Sequence, residues 1–230
     1  MDETSILKQL QKRNAIITDS HVVYTSGKHG SAYVNKDAAY PDTFLISKLC
    51  MEIAMAFEDY GIEVVVGPEK GAIILSQWVA YHLSQITEQE VFSVYAEKEI
   101  TLIPDPENKA RKCYAETGKF FLGRGYAELI KQKRVLVVED IITTGGTVKK
   151  VVEAIELLKC GVAGIGAICN RSGLAAPDLG VSSFFSVLNI KLDAWNPEDC
   201  KLCQADVPIN TVVGKGKDFL ARKAASLQKL

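Results

Sequence analysis

The sequence predicts an α/β fold: a mainly parallel, twisted sheet with helices on both faces. Three observations carry this expectation. Apolar runs of strand length alternate with amphipathic stretches of helix length. The runs at 64–66 ("VVV") and 135–138 ("VLVV") are apolar at every position, as strands buried on both faces are. The chain has 230 residues, 47% of them hydrophobic, which is enough for one sizeable buried core. Strands alternating with helices imply right-handed crossovers, and ligands of such sheets bind beyond the carboxyl ends of the strands.

The elements follow in order. Ile6, Leu7 and Leu10 at helical spacing predict an opening amphipathic helix over 3–13. "AIITDSHVVYTSGKHGSAYVNKDAAY" reads as short strands around a Ser-Gly turn. Pro41 and Asp42 start a helix whose buried face is Phe44, Leu45, Leu49, Ile53 and Phe57, with Gly61 beyond its end. Strands are expected at 63–68, 90–98, 134–140, 162–170 and 182–191, and helices at 71–85 and 147–161. Segment 99–118, "EITLIPDPENKARKCYAETG", breaks the alternation. It is polar, contains Pro104 and Pro106, and exceeds an ordinary connection, so a loop acting as a mobile lid is expected there. One domain over 1–230 is expected, with 193–230 as a C-terminal extension of the common core.

A formal net charge of -1 offers no field to draw in nucleic acid or an anionic membrane surface. No apolar run is long enough to cross a bilayer, and the opening "MDETSILKQLQKRN" lacks the basic start of a signal peptide, so a cytoplasmic protein is expected. Six cysteines do not by themselves imply disulfides in such a chain. Cys50, Cys160 and Cys169 lie in or beside apolar segments, where a free thiol behaves as a small hydrophobe. Cys200-x-x-Cys203 could be half a zinc site, a redox pair or a tight turn. Zinc usually takes four ligands, and no second close Cys/His pair exists, although Cys113 could approach. Free thiols are therefore expected.

The segment that carries chemistry is "RVLVVEDIITTGGTV", residues 134–148. A buried strand ends in Glu139 and Asp140, then Thr143, Thr144, Gly145, Gly146 and Thr147 lead into a helix. Glycines let successive backbone N–H groups turn toward one point, the helix N-terminus adds a positive dipole, and the hydroxyls add donors. That combination cradles a phosphate monoester. Carboxylates would repel phosphate, so their presence points to the hydroxyls of a sugar, a divalent metal, or both. No Lys follows the glycines as in a Walker loop, and G-x-G-x-x-G is absent.

This run resembles the phosphoribosyl pyrophosphate (PRPP) motif of the type I phosphoribosyltransferase family. The resemblance implies that family's fold, with residues 1–40 as a small hood. It also implies that Glu139 and Asp140 face the ribose hydroxyls and that Thr143 to Thr147 bind the 5'-phosphate. Three further segments resemble orotate phosphoribosyltransferases. "TSGKHGSAYVNKD" (25–37) is similar to a Ser-Gly-x-Lys-Ser segment beside the base. Lys28 sits one place early and His29 takes the usual Lys position; either could reach the base or a phosphate. "VVVGPEKGAIIL" (64–75) is similar to a Gly-Pro-x-x-Lys-Gly loop with one residue fewer, which assigns Lys70 to the pyrophosphate. "GAICNRSG" (166–173) places Arg171 where the family reads the carboxylate of orotate. In the lid, "YAEKE" matches an Arg-Lys-Glu segment at Lys98, while Glu97 stands where the Arg is expected. The lid's later Lys-x-His is not visible, although Lys109, Arg111 and Lys112 could supply charge.

The resemblance spans roughly 20–191 and implies an enzyme of pyrimidine biosynthesis. It would transfer 5-phosphoribosyl from PRPP to orotate, with Asp140, Glu139 and Lys98 as catalytic residues. Mg2+ would be carried by PRPP, with no metal ligand from protein side chains, and a homodimer is implied. The other readings are a phosphoribosyltransferase for a purine or uracil, and a PRPP-sensing regulator without catalysis.

Overall fold

The computed structural model describes residues 2–106, 108–109, 111–190 and 192–227. Two compact units emerge, one from Met1–Leu45 with Ile190–Leu230 and one from Ile46–Asn189.

The chain opens with helix α1 (Glu3–Lys12), capped where the Asp2 carboxylate accepts from the Ser5 N–H at 2.9 Å. Ile6 and Leu10 are its buried residues. Four two-residue strands follow: β1 (Ile16–Ile17), β2 (Val22–Val23), β3 (His29–Gly30) and β4 (Tyr33–Val34). They pair antiparallel as β1–β4 and β2–β3 around the expected Ser-Gly turn. Helix α2 (Thr43–Ala56) begins where Asp42, ion-paired with Arg13, accepts from the Leu45 N–H at 2.9 Å.

The second unit holds the large sheet. Its elements are β5 (Val64–Pro68), α3 (Ile73–Thr87), β6 (Phe92–Pro104), β7 (Lys112–Phe121), α4 (Tyr126–Leu129), β8 (Arg134–Ile142), α5 (Gly146–Glu156), β9 (Gly161–Asn170), α6 (Ala176–Leu179) and β10 (Phe184–Asn189). Strand order is β10-β9-β8-β5-β6-β7. The first five run parallel, and β7 is antiparallel to β6. Alternation along the strands assigns the faces. Val64 and Val66 of β5, Val135 and Val137 of β8 and Ile165 of β9 pack with Val148, Val151, Val152 and Ile155 of α5. On the opposite face, Ile53 of α2 and the nearby Phe57 press against Gly166 and Gly164 of β9, leaving no room for a side chain there. Helices thus cover both faces.

Segment 99–118 differs from expectation. It is not an irregular loop. Residues of β6 and β7 form a long hairpin, from Glu97 opposite Phe121 to Pro104 opposite Lys112, with a register shift between Lys98 and Ile100. The two strands satisfy each other's backbone groups, so the segment needs no apolar face, and Pro104 is tolerated at the strand's last residue.

The chain then returns to the first unit through α7 (Lys201–Gln204) and α8 (Gly216–Leu227). Helix α8 lies beyond anything the sequence pattern indicates: its residues 217, 218 and 220–225 are exposed, so no apolar stripe marks it. Among the described residues, no helix is long and apolar enough to cross a membrane.

Candidate active site

Strand β8 lies in the middle of the sheet and delivers the acid pair to its carboxyl edge. Glu139 and Asp140 are 7% and 5% exposed. The Glu139 carboxylate accepts from the Asp140 N–H at 3.0 Å. Successive strand residues face opposite sides, and the two acids divide accordingly. Glu139 lines a cavity of about 30 Å³ together with Thr143, Thr144, Gly145, Gly146 and Thr147. Asp140 is not part of that lining; it and Arg171 both act electrostatically on Cys169. The structure therefore gathers the Thr143–Thr147 loop around one acid, Glu139, and leaves Asp140 outside that cavity.

The loop geometry matches its composition. Gly145 has φ +73° and caps α5, whose first turn closes when the Lys149 N–H donates to the Gly145 carbonyl at 3.0 Å. Arg171 follows the last residue of β9, and its N–H donates to the Ile142 carbonyl at 3.0 Å. That bond fixes it against the strand end from which the loop departs. Asn170, buried beside it, donates to the Leu174 carbonyl at 2.9 Å and to Asn189 Oδ1 at 3.2 Å.

Lys70 is exposed in the loop after β5, at the same carboxyl edge of the parallel strands. Its neighbour Glu69, joined to it by a cis peptide, ties this loop to β6. The Glu69 N–H donates to the Ala96 carbonyl at 2.9 Å, and its carboxylate accepts from the Lys98 N–H at 2.8 Å. The Lys98 amine is engaged within the hairpin. It pairs with Glu116 across the hairpin at 2.9 Å. Glu97, standing where an Arg was expected, binds Arg124 at 3.1 Å, and that guanidinium lies 5.8 Å from the centre of the Tyr95 ring. Neither Glu69 nor Arg124 was foreseen. Each finds its partner 27 or 29 residues away, and no local spacing signals such a pair.

Lys28 belongs to the first unit, exposed in the turn between β2 and β3. His29 is 0% exposed, and its Nδ1 lies 2.9 Å from His21 Nε2. Of Lys28 and His29, only Lys28 is accessible to a substrate. Burial pushes the thiols of Cys50 and Cys169 up to about 12, so neither offers a nucleophile at neutral pH.

The family model described as phosphoribosyl transferase domain matches residues 43–202. The chain belongs to the phosphoribosyltransferase family. Among its relatives, the Thermotoga maritima protein named orotate phosphoribosyltransferase is 32% identical over 214 residues, covering 92% of this chain and 99% of the relative. The crystal structure of Mycobacterium tuberculosis orotate phosphoribosyltransferase aligns with a TM-score of 0.58 at 19% identity, over 82% of this chain and 97% of that one. An adenine phosphoribosyltransferase from Thermoanaerobacter pseudethanolicus aligns with a TM-score of 0.53 at 16% identity, over 80% and 99%. The phosphoribosyltransferase fold is thus shared by proteins named for different bases, and the acceptor must be argued from side chains.

Proposed function

We propose that this phosphoribosyltransferase acts on orotate. In the reaction, the bond from the sugar's anomeric carbon to pyrophosphate breaks and a bond to a ring nitrogen of orotate forms, giving orotidine 5'-phosphate and pyrophosphate. The observation that carries the proposal is the strand end itself: an amide- and hydroxyl-rich loop lines a small cavity with Glu139, Asp140 follows at the same strand end, and Arg171 is tied there by its N–H to the Ile142 carbonyl. Such an arrangement suits an anionic ester, a polyhydroxylated ring and an anionic base at once. A planar carboxylate such as that of orotate is matched by an Arg fork. The relatives named for orotate support the same base.

The loop from Thr143 to Thr147 would hold the 5'-phosphate by backbone N–H groups and hydroxyls. Glu139 and Asp140 would orient the ribose hydroxyls and favour positive charge developing on the ring, as in glycosidic chemistry generally. Lys70 would meet the pyrophosphate. The hairpin formed by β6 and β7 would close over the site and keep water from the activated sugar. The hard oxygen donors of the acid pair fit a magnesium ion carried on PRPP, which when bound would neutralise charge on the leaving pyrophosphate. The same proposal includes a homodimer and a cytoplasmic setting.

A second reading, PRPP binding without transfer, is favoured by one contact: the Lys98 amine is held by Glu116. One assay separates the two. Pyrophosphate release with PRPP and magnesium is expected with orotate and not with uracil or purines. Calorimetric binding of PRPP without turnover on any base would support the second reading, and transfer to a purine would reassign the base.

A further inference from the structure

The first unit contains a cluster that the transferase chemistry does not use. His21 precedes β2, His29 opens β3, Cys200 precedes α7 and Cys203 lies within it. Their ligand-capable atoms all lie within 4.8 Å of one another, and His21, His29 and Cys200 are buried. We propose that these four side chains bind one zinc ion in a closed, structural Cys2His2 site. The inference does not rest on the transferase reading.

Distances support it first. His21 Nε2 is 2.9 Å from His29 Nδ1. Cys200 Sγ and Cys203 Sγ are 3.5 and 3.6 Å from His21 Nε2, and Cys203 Sγ is 3.3 Å from His29 Nδ1. Zinc bonds of about 2.0–2.1 Å to nitrogen and about 2.3 Å to sulfur place the corners of a tetrahedron roughly 3.3–3.8 Å apart. Three of these four separations fall in that range, the nitrogen pair is closer, and the other two of the six pairs lie within 4.8 Å.

Hydrogen bonding alone does not account for the cluster. His21 Nδ1 lies 2.7 Å from the Val207 carbonyl, which can only accept, so Nδ1 carries the proton and Nε2 presents its lone pair inward. One lone pair accepts one hydrogen bond, yet three polar atoms crowd it. His29 Nε2, pointing the other way, is buried without a partner among the described residues. A core histidine held by hydrogen bonds would use that nitrogen; a ligand bound through Nδ1 need not. The carbonyl on His21 is also the kind of outer partner that orients a metal-bound imidazole.

Charge and size agree. Two thiolates and two neutral imidazoles around a divalent cation sum to zero, so burial costs little. All four positions come from the protein, which leaves none open for substrate and marks the site as structural. The elements it joins are minimal: β2 and β3 have two residues each and α7 has four. Elements so short bury little and gain most from a metal staple. This revises the expectation of free thiols without protein metal ligands. The missing pair is not close in sequence, nor is it Cys113; it lies 179 residues from Cys200 at His21, with His29 beside it.

The test uses untagged full-length protein purified without chelator. Elemental analysis should find about one zinc per chain, retained in Cys113→Ser and lost in the double variant Cys200→Ser/Cys203→Ser. Should the double variant fail to fold, cobalt(II) exchanged into the wild type decides the matter, since tetrahedral thiolate ligation gives strong visible bands. Less than about 0.1 zinc per chain together with no such bands, a Cys200–Cys203 disulfide in the native protein, or undiminished zinc in the folded double variant would overturn the proposal.

Discussion

A methyl group at Gly145 would meet Leu179 Cδ2 at 2.5 Å, and the φ of +73° there is one that L side chains rarely adopt. Gly145→Ala is therefore expected to cost about 1–3 kcal/mol of stability and to weaken PRPP binding, as thermal melting and calorimetry would report. Asp140→Asn keeps size and removes charge. Turnover should fall on the order of a hundredfold while the melting temperature stays close to wild type. A fully active variant would remove Asp140 from the chemistry. The Thr143–Thr147 loop, the acid pair and Arg171 stand out in the sequence as candidates, because their pattern lies in adjacency: a strand end, two acids, then small residues. What was illegible at this scale are partnerships across the chain. Glu97 with Arg124, Glu69 with Lys98, and His21 with Cys200 are brought together by topology, and nothing in the spacing of one predicts the other.

At the scale of elements, β5, β8 and β9 follow the sequence closely, since two-sided burial demands uninterrupted apolar runs. The hairpin and α8 escaped because they bury little. Ile100, Leu102 and Tyr114 are exposed on the hairpin, so its alternation answers to no core. Replacing residues 101–115 with a tight turn should leave the unfolding of the large sheet unchanged by circular dichroism and should lower transferase turnover. Loss of the sheet itself would mean that the hairpin is structural. Helices α2 and α3 meet at Ser47 Oγ and His82 Nε2, 3.0 Å apart. Burial holds His82 below the usual histidine value, with Ser47 opposing in part. The folded state therefore takes up its proton later than the unfolded chain. Stability is full above the unfolded value near 6.5 and declines as pH falls through it toward the folded value. The slope for one proton is at most about 1.4 kcal/mol per pH unit. Denaturant titrations at several pH values should show this loss in the wild type and a smaller one in His82→Gln.

For the whole molecule, sedimentation should report twice the chain mass if the homodimer is correct. If the hairpin of one subunit serves the site of the other, mixing inactive Lys98→Ala and Asp140→Asn proteins should restore measurable activity. Failure to regain any activity in verified mixed dimers would confine each site to one chain. The sequence suggested an α/β enzyme with 1–40 as a hood and 193–230 as an extension, but not that 1–45 and 190–230 would condense into a unit of their own, because the residues that meet in it, such as His21 and Cys200, are 179 positions apart. That interleaving has a consequence for biosynthesis. Residues 46–189 are contiguous and can condense while still tethered to the ribosome, whereas 1–45 must wait, exposed, until 190–230 has left the exit tunnel. A nascent chain stalled at residue 230, with 190–230 still in the tunnel, should resist protease across its middle and be clipped near its front.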